Sequence, residues 1–279
     1  ISEGLTWVDT GRDDLAHKTF LDVLKRDVRN PDACLQLGIL HLRRKLLDPA
    51  IEYFKKADAE RARFLHPQTA YEVHLYLAEA WREYRRGDLE EAALRQLLFL
   101  CTGSPDGGFA TPAGRASPLA HASNGAARSE VHAPLRGPLA PELDEEGVPT
   151  LPYARLSAGK AFFALAFLTR LQGHAMESRL CFEKSAAFGY RKRSAELYLA
   201  HWYAERTQDD VDAAVVAWTK AHPAFKKKGE DRAFFLRRHH RLMEEFEVGD
   251  RAEFEFLSLP EQLEVRAAVR AALKALDGG

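Results

Sequence analysis

Residues 33–57 read ACLQLGILHLRRKLLDPAIEYFKKA, and residues 161–185 read AFFALAFLTRLQGHAMESRLCFEKS. Each stretch is an apolar helical run with a small residue near its middle, then a turn, then a second run. In the first, the small residue is Gly38 and the second run carries Ala50, Phe54 and Ala57. In the second, the counterparts are Ala166, Ser178, Phe182 and Ser185. Spacings of four and then three place each trio on one helical face. Small side chains let two helices approach closely, and the aromatic fills the space between neighbouring pairs.

The layout recurs along the chain. Near the start, Gly4, Trp7 and Gly11 precede Ala16, Phe20 and Val23, and Gly4 to Gly38 is one step of 34 residues. A third pair covers about 68–101, with its turn assigned to Gly87-Asp88 and Gln96 where an aromatic is expected. A fifth covers 193–222, with Ala200, Trp202, Ala214, Trp218 and Ala221 and what reads as a long first helix; Ala166 to Ala200 is again 34 residues. A single helix pair cannot bury its apolar face, so such pairs must stack.

On these residues the chain resembles the tetratricopeptide repeat family. The resemblance rests on Leu37-Gly38 with Ala50, Phe54 and Ala57, and on Phe162, Leu165 and Ala166. It implies an all-α fold, a right-handed superhelix of antiparallel helix pairs. It also implies a concave face lined by the first helix of each pair. Mapped onto this chain, that face collects Leu35, Ile39, Leu42 and Arg43, then Leu75, Glu79 and Arg82. It continues with Lys160, Phe163, Phe167 and Arg170, then Leu197, His201 and Glu205. Such an apolar groove with a basic fringe suits a protein or peptide partner, and the chain reads as a subunit of a complex. Leu35 and Ile39 occupy positions where relatives that grip a C-terminal carboxylate carry a clamp of Asn and Lys, so that chaperone-tail mode is not expected.

The array spans 1–101 and 151–224, with the first pair truncated because Ile1 falls inside its first helix. Upstream sequence is expected to complete that pair, and without it one side of Trp7 and Phe20 should be uncovered unless another segment covers them. Between the two blocks, 102–150 is rich in Gly, Pro, Ala and Ser, with Phe109 its only aromatic. Such a segment buries too little apolar surface to offset its ordering entropy. Closing so long a loop costs only about 2 kcal/mol more than closing a short one. A second reading makes Leu119, Val131, Leu135, Leu139 and Leu143 anchors by which the insert gates the groove.

The tail, 225–279, carries the run Lys226–Lys228, a turn at Gly229 and Asp231 as a helix cap. On the helix that follows, Phe234, Phe235, Leu242 and Phe246 supply apolar contacts, with Arg237, Arg238 and Arg241 outward. The alternating stretch AEFEFL reads as extended. Ser258 then starts a last helix whose stripe of Leu263, Val265, Val269, Ala272, Leu273 and Leu276 caps the array.

Composition narrows function further. Lys+Arg 40 against Asp+Glu 41 leaves a formal net charge of -1, so no global field draws the chain to nucleic acid or an anionic membrane. Cys34, Cys101 and Cys181 lack metal-ligand spacing and read as buried thiols. No run approaches the length of a membrane span. The cytoplasm or an organellar lumen fits, with an extracytoplasmic site left open because a leader could have preceded Ile1. His239-His240 with Glu244, and His201 with Glu205, fall short of a zinc ligand set. No Walker loop, dinucleotide loop or nucleophile elbow occurs. The expectation is a scaffold or adaptor that is not an enzyme and takes no cofactor or metal. A lipid or small-molecule carrier and a structural subunit or homo-oligomer are the alternatives.

Overall fold

A computed structural model describes residues 1–104, 142–144, 148–221, 232–245 and 259–278. Twelve α-helices occur among them, with no strand beyond an isolated antiparallel bridge of Leu143 with Pro149. The described residues fall into two compact units, 1–104 with 142–157, and 158–278.

The first unit contains α1 (Ser2–Asp9), α2 (Asp13–Arg26), α3 (Pro31–Arg43), α4 (Leu47–Ala59), α5 (Thr69–Glu83) and α6 (Gly87–Thr102). Each helix packs on the next in the chain, so the pairs stack antiparallel. Helix α3 starts where sequence chemistry demands it: Pro31 occupies the first turn, and the Asn30 side chain accepts a hydrogen bond from the Ala33 amide at 2.9 Å.

The close approaches expected from the small residues are present. A Cβ on Gly38 would lie 2.6 Å from Cδ1 of Phe54, and one on Gly4 would lie 2.5 Å from Cε1 of Phe20. Both rings are fully buried, each contributing about 2–3 kcal/mol by leaving water. Phe20 is therefore covered, by a cluster that α3 helps to build. Trp7 is half-buried, packed with Ile1 on the cluster of Ala16, Phe20, Ala33, Leu37 and Leu40.

The turns share one backbone design. Gly11, Lys45, Arg85 and Gly173 all adopt left-handed conformations, with φ of 70°, 59°, 58° and 81°. At each, the residue's amide reaches back three residues and the next amide reaches back five, at 2.8–3.0 Å. This is the Schellman closure, which satisfies carbonyls that a helix end leaves open. The third turn is thus centred on Arg85. Gly87, assigned to that turn from sequence, is the first residue of α6.

Helix α7 (Pro152–Leu171) is the long one, at 20 residues. The second unit continues with α8 (Ala175–Ala187), α9 (Lys192–Ala204), α10 (Gln208–Ala221), α11 (Arg232–Glu245) and α12 (Leu259–Asp277). Helix α9 has 13 residues, so the long first helix expected in the fifth pair is not found. Small polar residues fasten α8 to α7: Ser178 Oγ donates to the Ala166 carbonyl at 2.7 Å, and Ser185 Oγ to that of Gly159 at 3.1 Å.

Helix α12 packs against α9 and α11 as a terminal cover. Its buried face is Val265, Val269 and Ala272, whereas Leu263 and Leu276 of the expected stripe are exposed. On α11 the buried residues are Leu236 and His239, and Phe234 is exposed. Arg232 donates to the Tyr203 and Ala204 carbonyls at 2.9 and 3.4 Å, capping the C-terminal end of α9. All three cysteines are buried. The expectations for 105–141, 226–231 and 246–258 lie outside the described residues, as do the side chains of Trp218 and Leu242.

Candidate binding cleft

Within the second unit, α8 and α9 each turn one heptad-spaced row toward a shared cleft. From α8 come Ala175, Ser178, Arg179 and Phe182, and from α9 come Tyr198, His201, Trp202 and Glu205. Both rows follow the i, i+3, i+4, i+7 pattern of one helical face. Arg170, in the last turn of α7, and Arg206, just after α9, complete the rim. The cleft holds about 60 Å³. Small-molecule sites usually offer ~300–1,000 Å³, so this space suits one side chain rather than a cofactor.

Guanidinium and aromatic groups alternate through it. Arg206 lies over the Trp202 ring, 4.4 Å from its centroid, and donates to the Trp202 carbonyl at 3.0 Å. Arg170 sits 5.9 Å from the centre of Tyr198. Phe182 stacks parallel to Tyr198 at 4.9 Å, and Phe167 meets both rings edge-on. These cation–π contacts are worth about 0.5–2 kcal/mol each, more where water is excluded.

Arg179 is fully buried behind them, with its guanidinium 5.4 Å from Trp202 and 5.6 Å from Tyr203. Its Nη2 donates to Glu183 Oε1 at 2.6 Å, which offsets the cost of removing a charge from water. Burial and the neighbouring Arg170 charge lower the Arg206 pKa, against the opposing pull of Glu205 and Asp210. His201 Nε2 stands 3.1 Å from Glu205 Oε1, and Arg206 stands 3.7 Å from the other oxygen. Arg170 has no carboxylate within ion-pair distance among the described residues. Among the described residues, the buried Trp202 indole nitrogen has no hydrogen-bond partner.

The residues mapped onto a groove from sequence separate by burial. Leu35, Ile39, Leu42, Phe163 and Leu197 are interior, at 0–8% exposure. Their side chains are consumed by packing between helices, so they offer a partner almost no surface. Phe163 illustrates this, with Phe167, Phe182 and Tyr190 around it edge-on. Leu75, Lys160 and Phe167 are half-buried. Arg43 and Arg82 reach the surface but are engaged, by Asp13 at 3.6 Å and Glu90 at 2.6 Å. Arg170, His201 and Glu205 come together at the cleft. Sequence reading missed Arg179 and Arg206 and took Phe182 and Trp202 as packing alone. The signal available was the Arg179–Glu183 spacing of four opposite an aromatic pair, Trp202-Tyr203.

Two Gly–Phe contacts repeat 34 residues apart, and one turn closure joins four successive helix pairs. The repeat is tetratricopeptide-like. No protein-family model and no curated sequence matches the chain. Among solved structures it is similar to one titled "Crystal structure of MamA", at 16% identity and a TM-score of 0.45, over 78% of this chain and 91% of that one. It is also similar to PilF of Pseudomonas aeruginosa, at 14% identity and a TM-score of 0.46, over 100% of this chain and 90% of that one. No described helix of this tetratricopeptide-like array is long and apolar enough to cross a membrane, and no described group of His, Cys, Asp and Glu could hold a metal.

Proposed function

We propose that this protein is a non-enzymatic scaffold that binds another protein or a peptide. The observation that carries this reading is the cleft of Arg170, Phe182, Tyr198, His201, Trp202 and Arg206, which is the size of one side chain. Arg, Trp and Tyr are the residue types that dominate binding energy at protein interfaces, because they combine wide contact area with directional donors. Stacked guanidiniums on rigid helices are also preorganised, so little rotamer entropy is lost on binding.

This cleft, at ~60 Å³, is too small to serve the carrier alternative, since ligand sites typically bury most of a molecule several times that size. The direct test is quantitative capture from an extract of the cells that make the protein, using the whole chain and an Arg170→Glu variant. A scaffold recovers a defined protein saturably, and charge reversal at Arg170 reduces that recovery. Recovery of no protein, with an acyl or other small ligand detected by native mass spectrometry, would overturn the reading.

A further inference from the structure

The donors in the cleft outnumber the acceptors. Three guanidiniums line it, from Arg170, Arg179 and Arg206, against the one carboxylate of Glu205. Glu183 neutralises Arg179 from outside the lining. Glu205 is shared between His201 and Arg206. Arg170 is therefore the lining cation with no carboxylate in ion-pair range among the described residues, and it is exposed, whereas Arg206 also feels the more distant Asp210. Arginine and the indole of tryptophan donate hydrogen bonds and accept none. The buried Trp202 Nε1 has no acceptor among the described residues, so a second, separate group in the same wall lacks the same kind of partner.

Resting on the scaffold reading above, we propose that the cleft is a pocket for one acidic side chain, a Glu or Asp of the protein partner, seated between Arg170 and Arg206. The volume, about 60 Å³, admits a carboxylate head. A single guanidinium without an ion-pair partner suits a monoanion. The Glu205 carboxylate on the rim repels a phosphate dianion more strongly than a carboxylate. The planar guanidinium fork matches the two oxygens of a carboxylate, and the aromatic walls accept the methylene stem.

The test is a titration of the full-length, ¹⁵N-labelled chain in low-salt buffer, read at the Trp202 indole resonance and assigned with Trp202→Phe. The probes are N-acetylglutamate amide, N-acetylglutamine amide, N-acetylphosphoserine amide and N-acetylalanine. The glutamate probe is expected to give a saturable shift that fades as salt rises. The glutamine probe should give none, and the other two weaker ones. Arg170→Gln, at an exposed position, should weaken the glutamate response about tenfold, the scale of one charged hydrogen bond. Glu205→Gln should strengthen it, an outcome that a purely structural role for the cleft does not produce.

Equal shifts with the glutamine probe, tighter binding of phosphoserine or of the free α-carboxylate, or indifference to Arg170→Gln would each overturn the pocket. A captured protein whose recovery is insensitive to Arg170→Gln sinks the pocket and leaves the scaffold standing. A carboxylate response with no protein captured sinks the scaffold and, with it, the assignment of the ligand to a partner.

Discussion

Gly38 of α3 approaches the ring of Phe54 on α4 so closely that no side chain could stand between them. The glycine is a packing requirement here, since the ring is wholly buried and cannot swing outward. Alanine at 38 would gain about 1 kcal/mol in helix propensity, but overpacking a closed core costs about 1–3 kcal/mol. Gly38→Ala is therefore expected to lower stability by up to about 2 kcal/mol, read as the urea midpoint. Adding Phe54→Leu should return part of that loss, so the two changes should be less than additive. Strict additivity would contradict the contact.

Arg85 holds a left-handed φ of 58° in an exposed turn where other turns have Gly11 and Gly173. A side chain in that region costs about 1–2 kcal/mol, of which glycine returns part after its own entropy is counted. Arg85→Gly should raise thermal stability by about 1 kcal/mol. Arg85→Ala, which keeps the Cβ, should not.

Arg179 is the test of the interior charge. Arg179→Ala removes a charged partner of Glu183 and the packing on Trp202 and Tyr203. The expected loss is about 3 kcal/mol, at the lower end for a buried pair because Glu183 is partly exposed. Arg179→Met combined with Glu183→Gln should recover much of it, measured by chemical denaturation.

Burial, with a smaller contribution from the Arg238 charge, pushes the pKa of His239 down to about 3. The unfolded chain takes up this proton near pH 6.5, whereas the folded protein does not. Stability is therefore unaffected by the group above about pH 6.5 and falls below it, by at most about 1.4 kcal/mol per unit. The loss levels off once pH passes the folded value. Carboxylates with lowered pKa values, such as Asp88 and Asp210, add their own loss at more acid pH. The difference between wild type and His239→Phe isolates the histidine: the variant's stability should be flatter between about pH 6.5 and 5.

The helix pairs were legible because small and aromatic residues at fixed spacing encode a close approach directly. Gly38 with Phe54 and Gly4 with Phe20 could be paired from the letters. The binding face was not legible in the same way. A stacked helix buries one side on its partner and another on the neighbouring pair, so its apolar arc is too broad to fix a register. That is why Leu35, Ile39 and Leu197 could be placed on either side by pattern, and why packing had to decide. Phe163 shows the practical consequence: an Asp there would test folding rather than recognition. Arg179 failed for the opposite reason. A charged residue on a helix is read as solvated, and nothing local reveals that Trp202 and Tyr203, more than twenty residues away, will close over it.

The turns reach furthest beyond this molecule. One hydrogen-bonded closure is written with glycine at 11 and 173, lysine at 45 and arginine at 85. Since amides and carbonyls common to nearly all residues enforce it, the letters at these positions are free to drift while the shape they build persists. Kinship among chains of this kind is then inherited as backbone geometry, and comparisons that count matching letters will lose sight of it first.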